Sequence, residues 1–369
     1  MTTIPESYDQ SRSRFRSRAG TLANRWPQIR LTALPLPSDP ELTTDVIAAD
    51  PLVEKDRLIV ITTGEHGIEG YLGLAVLELF FMDYANRLDA RTTGLLLIHA
   101  INPWGMHNWK RNNNANVDLN RNFIDGDFDA LKDTNPDYPA LSDYFSPQEP
   151  LHHLAGARLG FVFSTIKNYA VFGARRLREA ALMGQYRFPQ GIYFGGTEIQ
   201  PETAALMDVY RHGFAGYKEI VHLDMHTGYG PRDQMTMVVS PLEKRPAAEL
   251  STRFGAPRVA AANPDEFYTM QGDMIDWEYR LAAREFPDAD FFAATCEFGT
   301  YGDSILQAAR SLRITILKNR MNQHGASPDA AAWVEREYRE LYVPSEPAWL
   351  EKALADARAV FEAVMPAQN

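Results

Sequence analysis

A loop reading Gly64-Glu65-His66-Gly67-Ile68-Glu69 holds the most chemically pointed pair in this chain, a histidine and a glutamate three residues apart. Such a pair can chelate one cation through a neutral imidazole nitrogen and a carboxylate oxygen, the mixed donor set that suits zinc. Of the nine histidines only His66 is followed by Glu at the third position. The pair also reads as a loop histidine beside a helix-capping glutamate, and spacing alone does not choose. Catalytic zinc takes three protein ligands and leaves one position for water, so the third ligand must come from elsewhere. His226 is the candidate, because it ends the run EIVHLDMH beside Thr227-Gly228. His222 and Asp224 lie at even spacing from it and share its face. His222, deeper in the run, and His99 in LLLIHAIN read as satisfied core histidines and stay outside the metal site. A third stretch, residues 111–123 (RNNNANVDLNRNF), sets two arginines among asparagines. In an acidic protein this looks like a pocket for an anion, since guanidinium forks bind carboxylates in pairs; a solvated loop is the alternative.

These residues need elements to hold them. Residues 57–63 (RLIVITT) read as a buried strand ending at Gly64, and residues 69–88 follow with helical spacing of Leu72, Val76, Leu79 and Phe80. Further apolar runs over 95–101 and 219–225 end at Asn102-Pro103 and at HTGYG. Strands alternating with helices imply a mixed, mostly parallel twisted sheet covered on both faces. Ligands bind such sheets where loops leave the carboxyl ends of the strands, which is where His66 and His226 fall. Residues 124–150, rich in Asp, Pro and Ser, read as a long surface excursion, and 328–342 and 347–364 as C-terminal packing helices. No internal repeat appears. The expectation is one α/β domain over 1–369, with its core at about 50–320.

Composition narrows the partners. A formal charge of −11 argues against nucleic acid or an anionic membrane as the main partner. The first twenty residues lack an apolar targeting core, and no window approaches the ~20 apolar residues of a membrane span. A cytoplasmic protein is expected, and a homo-oligomer is compatible with everything read so far. Cys296 is the single cysteine, which excludes an internal disulfide. Beside Glu297 on an apparent strand it points to the opposite face and reads as core packing, not as a nucleophile.

Taken in order, the motifs resemble those of the zinc carboxypeptidases related to carboxypeptidase A, together with deacylase relatives such as aspartoacylase and succinylglutamate desuccinylase. The resemblance rests on the HxxE at His66 and Glu69, Asn-Pro-x-Gly at 102–105, VDLNRNF at 117–123, Gln200-Pro201-Glu202-Thr203-Ala204, the strand-ending His226, Tyr268 with QGDMIDW at 271–277, and Thr295-Cys296-Glu297-Phe298. Together they span about residues 57–300. The resemblance implies one zinc ion per chain held by His66, Glu69 and His226, with Glu297 as general base and Asp118 orienting His66. It gives Asn120 and Arg121 the substrate's terminal carboxylate, Arg111 the developing oxyanion, and Tyr268 the part of a mobile residue that covers substrate. Ile275 stands where basic-specific relatives carry Asp, so an apolar or aromatic terminal residue is expected.

The chain departs from that pattern between Arg121 and His226, which lie much farther apart than in the digestive enzymes. Residues 124–190 are expected to add a helix and a loop near the cleft mouth. Lys110 neighbours Arg111, but spacing favours Arg111 for the oxyanion. Glu65 and Asp273 lie close to the motifs and read as solvated. The implied activity is hydrolysis of an amide bond beside a free carboxylate. The tyrosine loop favours a carboxypeptidase acting on a peptide; a deacylase acting on an N-acyl amino acid is the alternative. An inactive binding protein on the same fold is the remote third reading, since every implied ligand and the base are present.

Overall fold

The computed structural model describes residues 2–256, 258–261 and 271–365. Within them the strands are β1 (Ile29–Leu36), β2 (Asp39–Ala49), β3 (Arg57–Thr63), β4 (Thr93–His99), β5 (Glu219–Thr227), β6 (Met235–Val239), β7 (Val259–Ala261) and β8 (Asp290–Phe298). They form one mixed sheet in the order β1-β2-β4-β3-β5-β8-β6-β7. Its centre, β4-β3-β5-β8, is parallel throughout, while β1, β2 and β6 join antiparallel. Central parallel strands are covered on both faces, which is why β3 and β4 read as unbroken apolar runs and are buried almost end to end.

Side chains alternate between two cores. Ile59, Ile61, Val221, Leu223 and Cys296 pack on one face, with Leu72 and Leu77 of helix Gly70–Asp83 and Phe361 of helix Pro347–Val364. Leu58, Val60 and Ile220 pack on the other, under helices Pro201–Phe214 and Met274–Glu285. A strand's period of two therefore puts His222, Asp224 and His226 on the second face. Glu297 shares it, because His226 and Glu297 are register partners in a parallel ladder.

The sheet extends farther toward the N-terminus than the expected core boundary near residue 50. Helix Tyr8–Leu22 lays Phe15 into the first core, and β1 and β2 add a hairpin at the sheet edge. The stretch 124–190 holds two helices, Tyr138–Phe145 and Leu154–Leu182, where one helix and a loop were expected. The longer helix breaks at Gly173, where φ is +76°, and Leu159, Phe163 and Ile166 face solvent along its first half. The C-terminal helices Pro328–Tyr342 and Pro347–Val364 lie where the spacing predicts them. Among the described residues no helix is long and apolar enough to cross a membrane.

Candidate metal centre at the carboxyl end of the sheet

The loop after β3 is seated by main-chain contacts. Gly67 N–H donates to the Arg111 carbonyl at 3.1 Å and Ile68 N–H to the Lys110 carbonyl at 2.9 Å. A Cβ on Gly67 would stand 2.2 Å from Met106 N, so only glycine lets this loop lie against the turn at 102–105. That turn is fixed by Asn102, whose Oδ1 accepts from Gly105 N–H at 2.8 Å at the start of helix Pro103–His107. The Asn-Pro-x-Gly motif is thus the shelf on which His66 and Glu69 rest.

His66, Glu69 and His226 are all nearly fully buried at this edge, and the two imidazoles meet edge to face with centroids 4.9 Å apart. His226 is held from behind: its Nε2 lies 2.5 Å from Asp224 Oδ2, and Asp224 Oδ1 accepts from Thr62 Oγ1 at 2.6 Å. Thr62 in turn contacts His222 Nε2 at 2.7 Å, and His222 Nδ1 reaches Glu278 Oε2 at 2.7 Å. His222 is therefore a satisfied core residue, as is His99 between Ser11 and Thr63. The other ring nitrogen of His226, Nδ1, lies 3.1 Å from Glu69 Oε2. Thr227 N–H donates to the same Glu69 oxygen at 2.9 Å.

The sequence reading missed the role of Glu65. It is 1% exposed, not solvated, and among the described residues neither carboxylate oxygen has a hydrogen-bond partner. It stands 3.4 Å from His226 Nε2, and one ligand atom each from Glu65, His66 and His226 lie within 4.8 Å of one another. Asp273 is buried too, at the start of helix Met274–Glu285 with Oδ1 accepting from Asp276 N–H. Burial pushes the Glu65 carboxyl up to about 8, against the pull of His226, and burial with Asp276 pushes Asp273 up to about 7.

Asp118 Oδ1 is 3.4 Å from His66 Nδ1, and Arg111 bridges the pair of acids, with Nε 3.2 Å from Asp118 and Nη1 3.4 Å from Glu69. Burial, Arg111 and His226 keep His66 well below its ordinary value, hence neutral and fit to donate a lone pair. Glu297 is partly buried with Oε2 shut away and unpartnered; burial pushes its carboxyl up to about 8, with Glu69 adding to the effect and His226 and Arg111 opposing it.

Other implied residues are placed less simply. Arg121 is 1% exposed, and its guanidinium donates to the carbonyls of Asn120 at 2.6 Å and Leu182 at 2.9 Å, while Nε has no partner among the described residues. Gly184, with φ +84°, packs on it so closely that a Cβ would come within 2.7 Å of Arg121 Cδ. Asn120 accepts from Met274 N–H at 3.0 Å. Ile275 is buried in the second core. Tyr268 lies outside the described residues. Tyr193, which no motif flags, sits with its ring 5.4 Å from the Arg111 guanidinium carbon.

A metal fits this donor set. Glu65, Glu69, Asp118, Asp224 and Glu297 gather at one edge of the sheet, with Arg111 beside Glu69 and Asp118. Unpartnered atoms on Glu65, His66, Asp118 and Glu297 remain there. Buried carboxylates left without partners cost several kcal/mol, and a divalent cation offsets that cost.

The chain is similar in structure to bovine thrombin-activatable fibrinolysis inhibitor in complex with tick carboxypeptidase inhibitor, with 14% identity, 90% of this chain and 97% of that one covered, and a TM-score of 0.47. It is also similar to carboxypeptidase A from Helicoverpa armigera, at 13% identity, 89% and 74% coverage and a TM-score of 0.46. Succinylglutamate desuccinylase from Chromobacterium violaceum gives 14% identity, 82% and 73% coverage and a TM-score of 0.38. A comparison with curated proteins finds no match. The family described as "Protein of unknown function (DUF2817)" matches residues 5–356, nearly the whole chain, and the protein belongs to it.

Proposed function

We propose that this protein is a metal-dependent hydrolase that cleaves an amide bond beside a free carboxylate, with a peptide as the first substrate to test. The observation that carries the reading is the state of His226: Asp224 occupies Nε2, Nδ1 faces Glu69, and Glu297 is its register neighbour. Metal-ligating histidines commonly give their second nitrogen to a carboxylate in this way. His66, Glu69 and His226 would hold one cation, zinc by the chemistry of the donor set. Bound there, the ion would polarise a carbonyl and acidify water toward a pKa of ~7.

The chain's own residues supply the rest. Glu297 takes a proton from the attacking water and hands it on to the leaving amine. Arg111, steadied by Asp118 and Glu69, faces the oxygen on which charge develops; a well-placed donor of this kind contributes about 3–4 kcal/mol in other hydrolases. Glu65 stands 3.4 Å from His226 Nε2, on the side Asp224 occupies, and in this reading acts on the imidazole through its charge instead of sharing the cation with Nδ1. Arg121 binds the substrate carboxylate in this reading, and to do so it must exchange the Leu182 carbonyl for the incoming oxygens. The N-acyl amino acid reading uses the same residues, so short peptides and N-acyl amino acids belong in one screen. Hydrolysis that chelation abolishes and zinc restores supports the proposal; no hydrolysis of either class by metal-loaded protein counts against it.

A further inference from the structure

Next to Arg111, with neither Glu69 nor Asp118 in its wall, lies a cavity of about 300 Å³ that the proposed reaction does not otherwise use. Lys110, Arg111 and Lys318 stand in its wall with Trp104, Tyr193 and Tyr338, and among the described residues no Asp or Glu lines it. In a chain of net charge −11 this is a local reversal of sign. Several amides of the same wall are spent on the fold: Asn116 donates to the carbonyls of Pro189 and Gly191, and Asn319 to that of Gln190. They fix the rim and leave Lys110 as the wall's lysine without a carboxylate partner among the described residues.

The two lysines differ. Lys318 is 2% exposed and its Nζ is paired with Glu335 at 2.5 Å. Lys110 packs its ammonium 4.8 Å from the Trp104 ring centroid, and among the described residues no carboxylate pairs with it. Burial pulls its proton affinity down, opposed by Glu335, as expected for a cation held in a partly dry wall without its own counterion. Arg339 adds a further positive charge acting on Lys318. Charges so arranged repel one another until an anion enters.

We propose that this cavity is an anion-binding subsite for an acidic group, a carboxylate or a phosphoryl group, on the part of the substrate that lies beyond the scissile carbonyl. Arg111 is shared between the cavity and the metal centre, so a substrate whose carbonyl oxygen meets Arg111 sends its acyl-side substituent toward Lys110 and Lys318. Planar fork and point charges together suit a compact oxyanion; the aromatic walls cover its carbon chain. The direction of binding rests on the hydrolase reading. The subsite itself does not.

The test is calorimetric titration of purified protein, both as isolated and metal-stripped, with glutarate, inorganic phosphate and the neutral isostere glutaramide. Saturable binding of glutarate or phosphate is expected in both forms, with glutaramide silent; the tighter of the two anions names the group. Lys110→Gln should weaken that binding about tenfold, the loss of one short charge contact of roughly 1.4 kcal/mol. Lys318→Met alone would strand Glu335, so the double variant Lys318→Met, Glu335→Gln removes the pair together and should weaken binding as well. Binding that disappears with the metal and ignores Lys110, or no saturable binding by either anion, would overturn the subsite. Anion binding without hydrolysis would leave the subsite standing and count against the reaction alone.

Discussion

His226 and Glu297 are register partners on adjacent parallel strands, β5 and β8, and so present their side chains on the same face at the same end of the sheet. This pairing sets a metal-ligand candidate and a base candidate side by side on adjacent central strands of the sheet. Around it the structure gathers the carboxylates of Glu65, Glu69 and Asp224 at the same edge.

The protein should hold one zinc, or a substitutable divalent ion, per chain, and His226→Ala should release most of it. Glu69→Gln should do the same. Glu65→Gln should keep the ion but weaken its affinity by about 10–100-fold, the usual cost of losing a group that orients a ligand. Metal analysis after dialysis checks all three. The reverse order for the two glutamates would make Glu65 the ligand.

Glu297→Gln should keep fold and metal while turnover falls by about 10²–10⁴-fold, because the amide has the carboxylate's shape and cannot take a proton. Circular dichroism and metal content establish the first half, and kcat the second. A variant that kept more than about a tenth of the wild-type rate would require another base.

The metal-stripped protein should lose stability as pH rises from about 4.5 to about 8. Glu65 and Glu297 hold protons up to about 8 when folded and release them near 4.5 when unfolded, so the folded state binds more protons across that window. His226, raised well above its ordinary value against its burial by Asp224, acts in the same direction above 6.5, whereas the depressed His66 opposes it. Loading the metal should flatten the slope, since the ion keeps the carboxylates ionised. Urea midpoints of both forms across the window measure this; a stripped protein that gained stability with rising pH would contradict the electrostatics described.

Arg121→Ala bears on substrate class. If its guanidinium takes the substrate carboxylate, the wild type should prefer a free acid over its amide and the variant should lose most of that preference, in ratio as well as rate. Because Arg121 also ties Asn120 to Leu182, some loss of stability is expected too. An unchanged acid-to-amide ratio in kcat/KM would leave Arg121 with a purely structural role.

What could be read from the sequence follows the range of the interactions. His66 and Glu69 announce themselves because they lie within one turn of chain, and β3 and β4 because burial on both faces leaves nearly unbroken apolar runs. Asp224 was visible only as a neighbour at even spacing, since its bond to Thr62 crosses 162 residues. Tyr193 comes to Arg111 from the end of the insertion and carries no local signal. Glu65 looked solvated because a charged residue beside a glycine normally is; the loop's seating on Gly105 and Met106 buries it. The hairpin β1–β2 escaped notice for a related reason. Its strand β2 carries Asp45, wholly buried and matched by Arg16 at 2.6 and 2.8 Å, which breaks the apolar pattern that marks a strand.

The central claim is that a cation at His66, Glu69 and His226 drives hydrolysis of an amide bond, and zinc titration of chelated protein tests it most directly. Chelated enzyme, given short peptides and N-acyl amino acids with free carboxylates, should be silent. Activity should appear in proportion to added zinc and level off at one equivalent per chain, with Glu297→Gln binding the same equivalent and remaining silent. Hydrolysis that persists in the chelated protein, or a chain that takes up one zinc and cleaves neither substrate class, would contradict the account.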